Sequence, residues 1–247
     1  MLTQFHDRKE AGKLLAAQLT GYANKQDVIV LALPRGGVPV GFEIAKALHV
    51  PLDIIVVRKL GVPGQEELAM GAIATGGVRI LNKDVVQYLD IPSNMIDKIA
   101  ANEQQELERR ERLYRGDRPA YAVQGRTVIL VDDGIATGAT MHAAVAAIKQ
   151  RQPARIIIAV PTAAPSTCDE FALEVDELVC VLRPEPFIAV SYWYRQFSQT
   201  SDEDVRRLLE RANHETSTIQ SRPQNTPTTL TDKNNTGKDT SQAARWR

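Results

Sequence analysis

The sequence predicts an α/β fold: a central, mainly parallel sheet flanked by helices, with a small hood and a long inserted helix. Three observations lead there. The apolar runs are short and rich in β-branched residues, they are nearly continuous rather than alternating, and segments of helical periodicity separate them. Continuous runs mark strands covered on both faces, and strand–helix–strand order with right-handed crossovers makes the sheet parallel.

Taken in order, residues 27–33 form the first strand and 38–49 the helix after it. Residues 51–57 form the second strand, and 72–73 with 78–81 read as a hairpin across Gly76-Gly77. Thr127-Val-Ile-Leu-Val131 is the central strand, followed by a helix over 139–151. A strand at 155–160, a helix at 166–173 and a strand at 177–182 complete the alternation. Ser201-Asp-Glu-Asp204 reads as the capped start of a last helix ending near Ala212.

One segment interrupts this order. Residues 93–115 form a long helix with Ser93 as N-cap, and Glu106/Arg110, Glu108/Arg112 and Glu111/Arg115 fall at the favourable i, i+4 spacing. Ile96, Ala100, Glu103, Leu107, Arg110 and Tyr114 share one stripe. Two charges on that stripe favour a solvated helix over a dimer contact or a site-facing Arg110.

Composition narrows the function classes. The 247 residues carry 30 Lys+Arg against 30 Asp+Glu, so no bulk basic field exists to hold nucleic acid. Cys168 and Cys180 are too few for a disulfide framework or a cysteine zinc site, and His6, His49, His142 and His214 show no ligand spacing. No stretch approaches the roughly 20 apolar residues of a membrane span, and residues 1–10 contain no apolar signal core. A cytoplasmic protein without membrane or nucleic-acid partners is the expectation. Residues 213–247 hold eight Thr and four Asn but only five apolar residues, too few to offset the entropy of ordering. A folded unit over 1–212 and a disordered polar tail over 213–247 are therefore expected.

The stretch 127–141 carries the chemistry. Asp132 and Asp133 leave the carboxyl end of a buried strand, where α/β sheets bind ligands, and paired carboxylates there suit hydrogen bonds from a vicinal diol. Ala136-Thr-Gly-Ala-Thr140 then supplies backbone N–H groups, two hydroxyls and a helix N-terminus, which together cradle an anion. Diol first and phosphate second describes a ribose 5-phosphate. A P-loop would need Gly-Lys-Ser/Thr and a dinucleotide turn G-x-G-x-x-G, and neither occurs here. A phospho-acceptor receiver domain needs an Asp closing a later strand, whereas Asp176 precedes one.

Val128-Ile-Leu-Val-Asp-Asp-Gly-Ile-Ala-Thr-Gly-Ala-Thr140 resembles the phosphoribosyl pyrophosphate (PRPP) binding motif of type I phosphoribosyltransferases. The resemblance spans about 27–182 and points to a bacterial subgroup of unassigned acceptor. It implies ribose binding by Asp132 and Asp133 and 5-phosphate binding by Ala136, Thr137, Gly138, Ala139 and Thr140. It also implies Mg2+ held mainly through PRPP, with Asp132 or Asp133 as candidate ligands and no dedicated metal cage. The implied reaction moves the 5-phosphoribosyl group from Mg-PRPP to a nitrogen acceptor, a nucleobase or similar base, and releases pyrophosphate. A PRPP-sensing regulatory or binding protein without turnover is the alternative. Such regulators usually add a nucleic-acid-binding module, and only about 26 residues precede the first strand here. Relatives commonly pair as homodimers, so a homodimer is expected.

Two further segments fit the resemblance. Leu33-Pro-Arg-Gly-Gly37 is similar to the family's pyrophosphate loop, in which a non-proline cis peptide is typical. Arg35 brings permanent charge there, and Gly36 and Gly37 allow close backbone approach. Residues 57–70 occupy the place of the flexible catalytic loop, so Arg58 and Lys59 would meet pyrophosphate and Glu66 or Glu67 the acceptor or metal. For the two glutamates the first turn of a short helix is an equal reading. Ala136 stands where relatives acting on 6-oxopurines usually carry Asp, which argues against hypoxanthine or guanine as acceptor. The hood is expected near the N-terminus and over 184–212, where Tyr192, Trp193 and Tyr194 could stack on a planar base or simply pack on the core.

Overall fold

The computed structural model describes residues 4–220, apart from the side chains of Glu67 and of 216–220. It begins with α1 (Arg8–Gln18), β1 (Val28–Ala32), α2 (Gly37–Leu48) and β2 (Leu52–Ile54). Then come β3 (Val57–Val62), β4 (Gln65–Ala74), β5 (Val78–Leu81), α3 (Lys83–Tyr88) and α4 (Ser93–Arg115). The second half holds β6 (Thr127–Val131), α5 (Ala139–Gln150), β7 (Arg155–Thr162), α6 (Pro165–Ala172), β8 (Glu177–Leu182) and α7 (Asp202–Gln220).

The central sheet is parallel throughout, in the order β2-β1-β6-β7-β8. Every residue of β1 and β6 is buried, which is why both read as unbroken apolar runs. Side chains on one face, including Val30, Ala32 and Ile129, join a core with α1, α2, α4 and α7. Those on the other, including Ile29, Leu31 and Leu130, join a core with α5 and α6. The strand order reverses between β1 and β6, because the chain steps outward to β2 after one and to β7 after the other. The crevice beyond that pair of strand ends is therefore the switch point at which open α/β sheets bind ligands.

A second sheet, β3-β4-β5, is antiparallel. Its 76–77 turn lies where the sequence predicts one, with both glycines at positive φ. The segment 57–70, expected as a flexible loop, is instead the β3-β4 hairpin, and Glu66 and Glu67 lie on a strand rather than in a helical turn. Leu60, Val62, Met70 and Ile73 explain the change: they bury one face of the hairpin in the core shared with α4.

The solvated reading of 93–115 is corrected by the same packing. The range is as expected, but Ile96, Ala100, Leu107 and Tyr114 are buried in that core. The charges on the stripe are accommodated by partners: Arg58 Nε donates to Glu103 Oε2 (2.7 Å), and Arg110 Nε to Glu106 Oε1 (2.8 Å). Ser93 is the first helical residue, preceded by Pro92, rather than the cap. α1 begins with a reciprocal cap, in which Asp7 accepts from the Glu10 amide (2.8 Å) and the Glu10 side chain from the His6 amide. The start of α7 is capped as predicted, with Ser201 Oγ accepting from the Asp204 amide (3.0 Å). α7 runs on to Gln220 rather than ending near Ala212, so residues 213–220 leave the predicted tail, and 221–247 lie outside the described residues. No described helix is long and apolar enough to cross a membrane.

The end of α4 is fixed to the sheet by a buried ion pair. Arg115 Nε donates to Asp53 Oδ1 (2.8 Å) and Nη2 to the Ile54 carbonyl (2.7 Å), and both charged side chains are only 7% exposed. Removing Asp53 would leave Arg115 in the interior with Glu111 Oε1 (2.9 Å) as its remaining carboxylate partner and would take the acceptor from the Ile54 and Tyr121 amides. Asp53→Ala is thus expected to lower the unfolding free energy by about 3–5 kcal/mol. Urea denaturation measures this, and a loss below about 0.5 kcal/mol would show that the pair does not fix the helix.

Candidate active site

The site follows from the pairing of β1 with β6. Their register sets Ala32 beside Val131, and the Leu33 amide donates to the Val131 carbonyl (2.8 Å). The two chains therefore leave the sheet side by side and at one level. Residues 33–37 turn into α2 with a cis Pro34–Arg35 peptide bond, and residues 132–138 turn into α5. A methyl group on Gly36 would lie 2.6 Å from the Asp133 carboxyl carbon, and one on Gly37 would lie 2.6 Å from the Val131 carbonyl oxygen. A side chain at 37 would meet the 131–132 backbone and force the loops apart, and one at 36 would displace the Asp133 carboxylate, so the glycines are what let the Arg35 loop lie against the carboxylates.

Asp132 and Asp133 are partly buried at the base of this crevice. The Asp133 amide donates to Asp132 Oδ1 (2.8 Å). Burial, together with the neighbouring Asp133 charge, pushes the Asp132 carboxyl well above its usual range. Burial raises Asp133 as well, against the opposing charge and hydrogen bond of Arg8. Arg8 Nε donates to Asp133 Oδ2 (2.8 Å), with the two side chains 11% and 15% exposed. Beneath Asp133, the Tyr194 hydroxyl donates to its backbone carbonyl (2.5 Å). Tyr194 is buried, and that burial, reinforced by the Asp133 charge, raises its hydroxyl pKa.

The loop after Asp133 is anchored and then left open. The Ile135 amide donates to the Thr162 carbonyl (2.9 Å), and Thr167 Oγ1 donates weakly to the Ala136 carbonyl (3.5 Å). Ala136, Thr137, Ala139 and Thr140 are exposed around the first turn of α5, whose leading amides have no carbonyl to pair with inside the helix. Gly138 takes φ +76°, a left-handed conformation suited to glycine, and a Cβ there would also crowd the Phe171 ring at 3.1 Å. His142 stacks on that ring (4.1 Å) and pairs with Glu174 (2.7 Å), bracing the loop from behind. The result is an anion cradle at a helix N-terminus, one loop away from paired carboxylates.

The structure thus brings together Arg35, Gly36, Gly37, Asp132, Asp133 and residues 136–140. Arg35 Nη1 lies 3.7 Å from Asp202 Oδ1, which also accepts from the Tyr114 hydroxyl (2.7 Å). Burial and Asp202 push that hydroxyl up to about 12. Arg58 is engaged elsewhere, since its partner Glu103 sits 11 residues, or roughly 16 Å of helix, from Tyr114. Lys59 is exposed on β3, Glu66 is exposed near the hairpin tip, and the Glu67 side chain lies outside the described ones. Of the aromatic trio, Tyr194 packs on Phe5 and braces Asp133, whereas Tyr192 is 52% exposed with Trp193 edge-on to it. The buried Trp193 Nε1 has no hydrogen-bond partner among the described residues.

Carboxylate oxygens are suitable donors for Mg2+, so Asp132 and Asp133 fit the ion chemically. Among the described residues, no group of three or more His, Cys, Asp or Glu gathers as a protein-only site. A cleft of about 910 Å3 between α1, α2 and the end of α7 is lined by none of the predicted site residues. Sequence reading missed Arg8, Tyr114 and Asp202 as members of the site's surroundings. Asp7-Arg-Lys-Glu10 signals a helix start, but nothing local in it says that Arg8 reaches residue 133.

Comparisons with known proteins bear on the family and the fold. The phosphoribosyl transferase domain family matches residues 64–179. Two Mycobacterium tuberculosis proteins, from strains CDC 1551 and H37Rv and named as proposed phosphoribosyl transferases, are 46% identical over 211 residues. That match takes in 85% of this chain but 47% of theirs, so the chain spans about half the length of these curated relatives. The crystal structure of the protein TT1426 from Thermus thermophilus superposes with a TM-score of 0.74 at 40% identity, covering 83% of this chain and 97% of that one.

The contact between the two loops makes a specific prediction. Gly36→Ala must displace either Asp133 or the 33–37 turn, at a cost of about 1–3 kcal/mol for overpacking. Thermal unfolding should show a lower melting temperature, and an unchanged one would mean that the loops are not in rigid contact.

Proposed function

Because the chain belongs to the phosphoribosyl transferase family, we propose that it transfers the 5-phosphoribosyl group from Mg-PRPP to a nitrogen acceptor, a nucleobase or similar base, and releases pyrophosphate. The observation that carries this is the apposition of the Arg35-Gly36-Gly37 turn with Asp132-Asp133, next to the open amides of 137–140. A ligand with two anionic ends and a diol between them would use all three parts at once.

Each group has a task in that reading. The amides and hydroxyls of 137–140, at the positive end of α5, hold the 5-phosphate. Asp132 and Asp133 accept hydrogen bonds from the ribose hydroxyls and so fix the sugar. Arg35 and the amides of Gly36 and Gly37 hold the pyrophosphate. Mg2+, carried mainly by PRPP oxygens and with Asp132 or Asp133 within its reach as oxygen donors, would supply further positive charge to the leaving group. The anomeric C–O bond breaks with its electron pair leaving on pyrophosphate, a C–N bond forms with the acceptor nitrogen, and the acceptor's N–H proton passes to pyrophosphate or water. The protein's part is positioning and charge neutralisation.

The hairpin carrying Arg58 and Lys59 is proposed as the element that approaches the pyrophosphate, with Arg58 exchanging Glu103 for substrate. Glu67 on the same hairpin and Tyr192, Trp193 and Tyr194 in the hood remain candidates on the acceptor side. Tyr194 would act there through Asp133 rather than by stacking, given its buried ring. Ala136 gives an incoming base no carboxylate at that position, which favours acceptors other than 6-oxopurines.

The decisive assay follows pyrophosphate release from PRPP and Mg2+ across purines, pyrimidines and small amines. Release with at least one acceptor is expected, with Asp133→Asn weakening PRPP binding at least about tenfold, the scale of one charged hydrogen bond. PRPP binding without release for any acceptor would replace transfer by the binding-protein alternative. PRPP affinity unchanged in Asp133→Asn would overturn the site assignment itself.

A further inference from the structure

Arg8 lies outside both loops, 125 residues from the carboxylate it holds. Its guanidinium makes three separate contacts. Nε donates to Asp133 Oδ2 (2.8 Å), Nη1 donates to the Ser198 carbonyl (2.7 Å), and its planar face covers the Phe197 ring at 3.9 Å. Tyr194 completes the arrangement, with its ring 6.0 Å from the same guanidinium and its hydroxyl on the Asp133 carbonyl. The N-terminal segment joins as well: the Phe5 amide donates to the Trp193 carbonyl (2.8 Å), and the Arg195 amide to the Phe5 carbonyl (2.8 Å). Asp133 is thereby gripped from the side chain by Arg8, at the start of α1, and from the backbone by Tyr194, in the segment before α7.

A surface ion pair would carry little weight, but this one is largely shielded from water and its cation is fixed in direction by two further contacts. Arg, with its planar fork, can serve carboxylate, carbonyl and ring at once, which Lys cannot. One Asp133 oxygen, Oδ2, is taken by Arg8. The geometry of the carboxylate, and hence which oxygen faces the crevice, follows from that bond.

Resting on the phosphoribosyl reading above, we propose that Arg8 is the positioning residue that orients the Asp133 carboxylate toward the ribose diol and makes the hood segment 194–198 part of the ribose site. Arg8 makes no described contact with the phosphate cradle of 136–140 and acts on the crevice through Asp133 Oδ2, the oxygen that also lies against Gly36.

The test compares affinities of the full chain for ribose 5-phosphate, 2-deoxyribose 5-phosphate and inorganic phosphate by calorimetry. Wild type is expected to prefer the ribose form by about tenfold, one charged hydrogen bond. Arg8→Met keeps an apolar stem on Phe197 but removes the guanidinium. It should bring that preference close to one while leaving inorganic phosphate affinity within about twofold, and Arg8→Lys should fall between. A purely structural role would weaken all three ligands together and leave the ratio unchanged, which would overturn the proposal. Should Arg8→Met fail to fold, Arg8→Lys decides: a reduced ratio supports the proposal and an unchanged one overturns it. Absence of ribose 5-phosphate binding or of any preference in wild type would instead sink the phosphoribosyl reading on which the proposal rests.

Discussion

The structure depends on one constraint, that β1 and β6 are parallel neighbours ending at the same level. Because Ala32 pairs with Val131, the chains that leave them cannot diverge for several residues. The carboxylates of 132–133 and the turn of 34–37 are therefore forced into the same small volume. That crowding is tolerated only because residues 36 and 37 have no side chain. Everything else at the site is support for this contact: α5 follows from one loop, α2 from the other, and their opposite sheet faces leave the crevice open above the strand ends.

Charge organisation follows from the same crowding. Burial at the strand end makes both carboxylates resist ionisation, and the Asp133 charge raises Asp132 further. Arg8 offsets part of this for Asp133 from outside the loops. A chain with no net charge thus needs no overall positive field to attract an anionic ligand. The positive elements are local: helix N-terminal amides, Arg35 and Arg8. Arg35 itself faces the carboxylate Asp202, so an anion entering the 33–37 turn competes with an existing partner.

Much of this was legible in the sequence, and the boundary of legibility has a physical cause. β6 at 127–131, β8 at 177–182 and α4 at 93–115 occupy the expected ranges, because buried strands and long amphipathic helices leave periodic patterns. The Asp-Asp and Thr-Gly-Ala-Thr stretch was readable because consecutive residues build it. Arg8 was not readable, since its meaning comes from a contact across 125 residues. The burial of α4 was concealed by Glu103 and Arg110, whose charges suggested solvent but are met by Arg58 and Glu106. Likewise the 57–70 segment resembled a flexible loop, yet it pairs into a hairpin whose apolar residues are buried against α4. For Tyr194, stacking on a base and packing on the core are equal readings of the sequence, and it packs, because its neighbours Phe5 and Phe197 enclose it.

The central claim is that the two loops act as one PRPP site. Amide hydrogen exchange, followed by mass spectrometry with and without PRPP and Mg2+, addresses it most directly. Joint protection of residues 33–37 and 132–140 on ligand addition is the predicted result. Protection confined to one loop, or located elsewhere in the chain, would contradict a single site built from both.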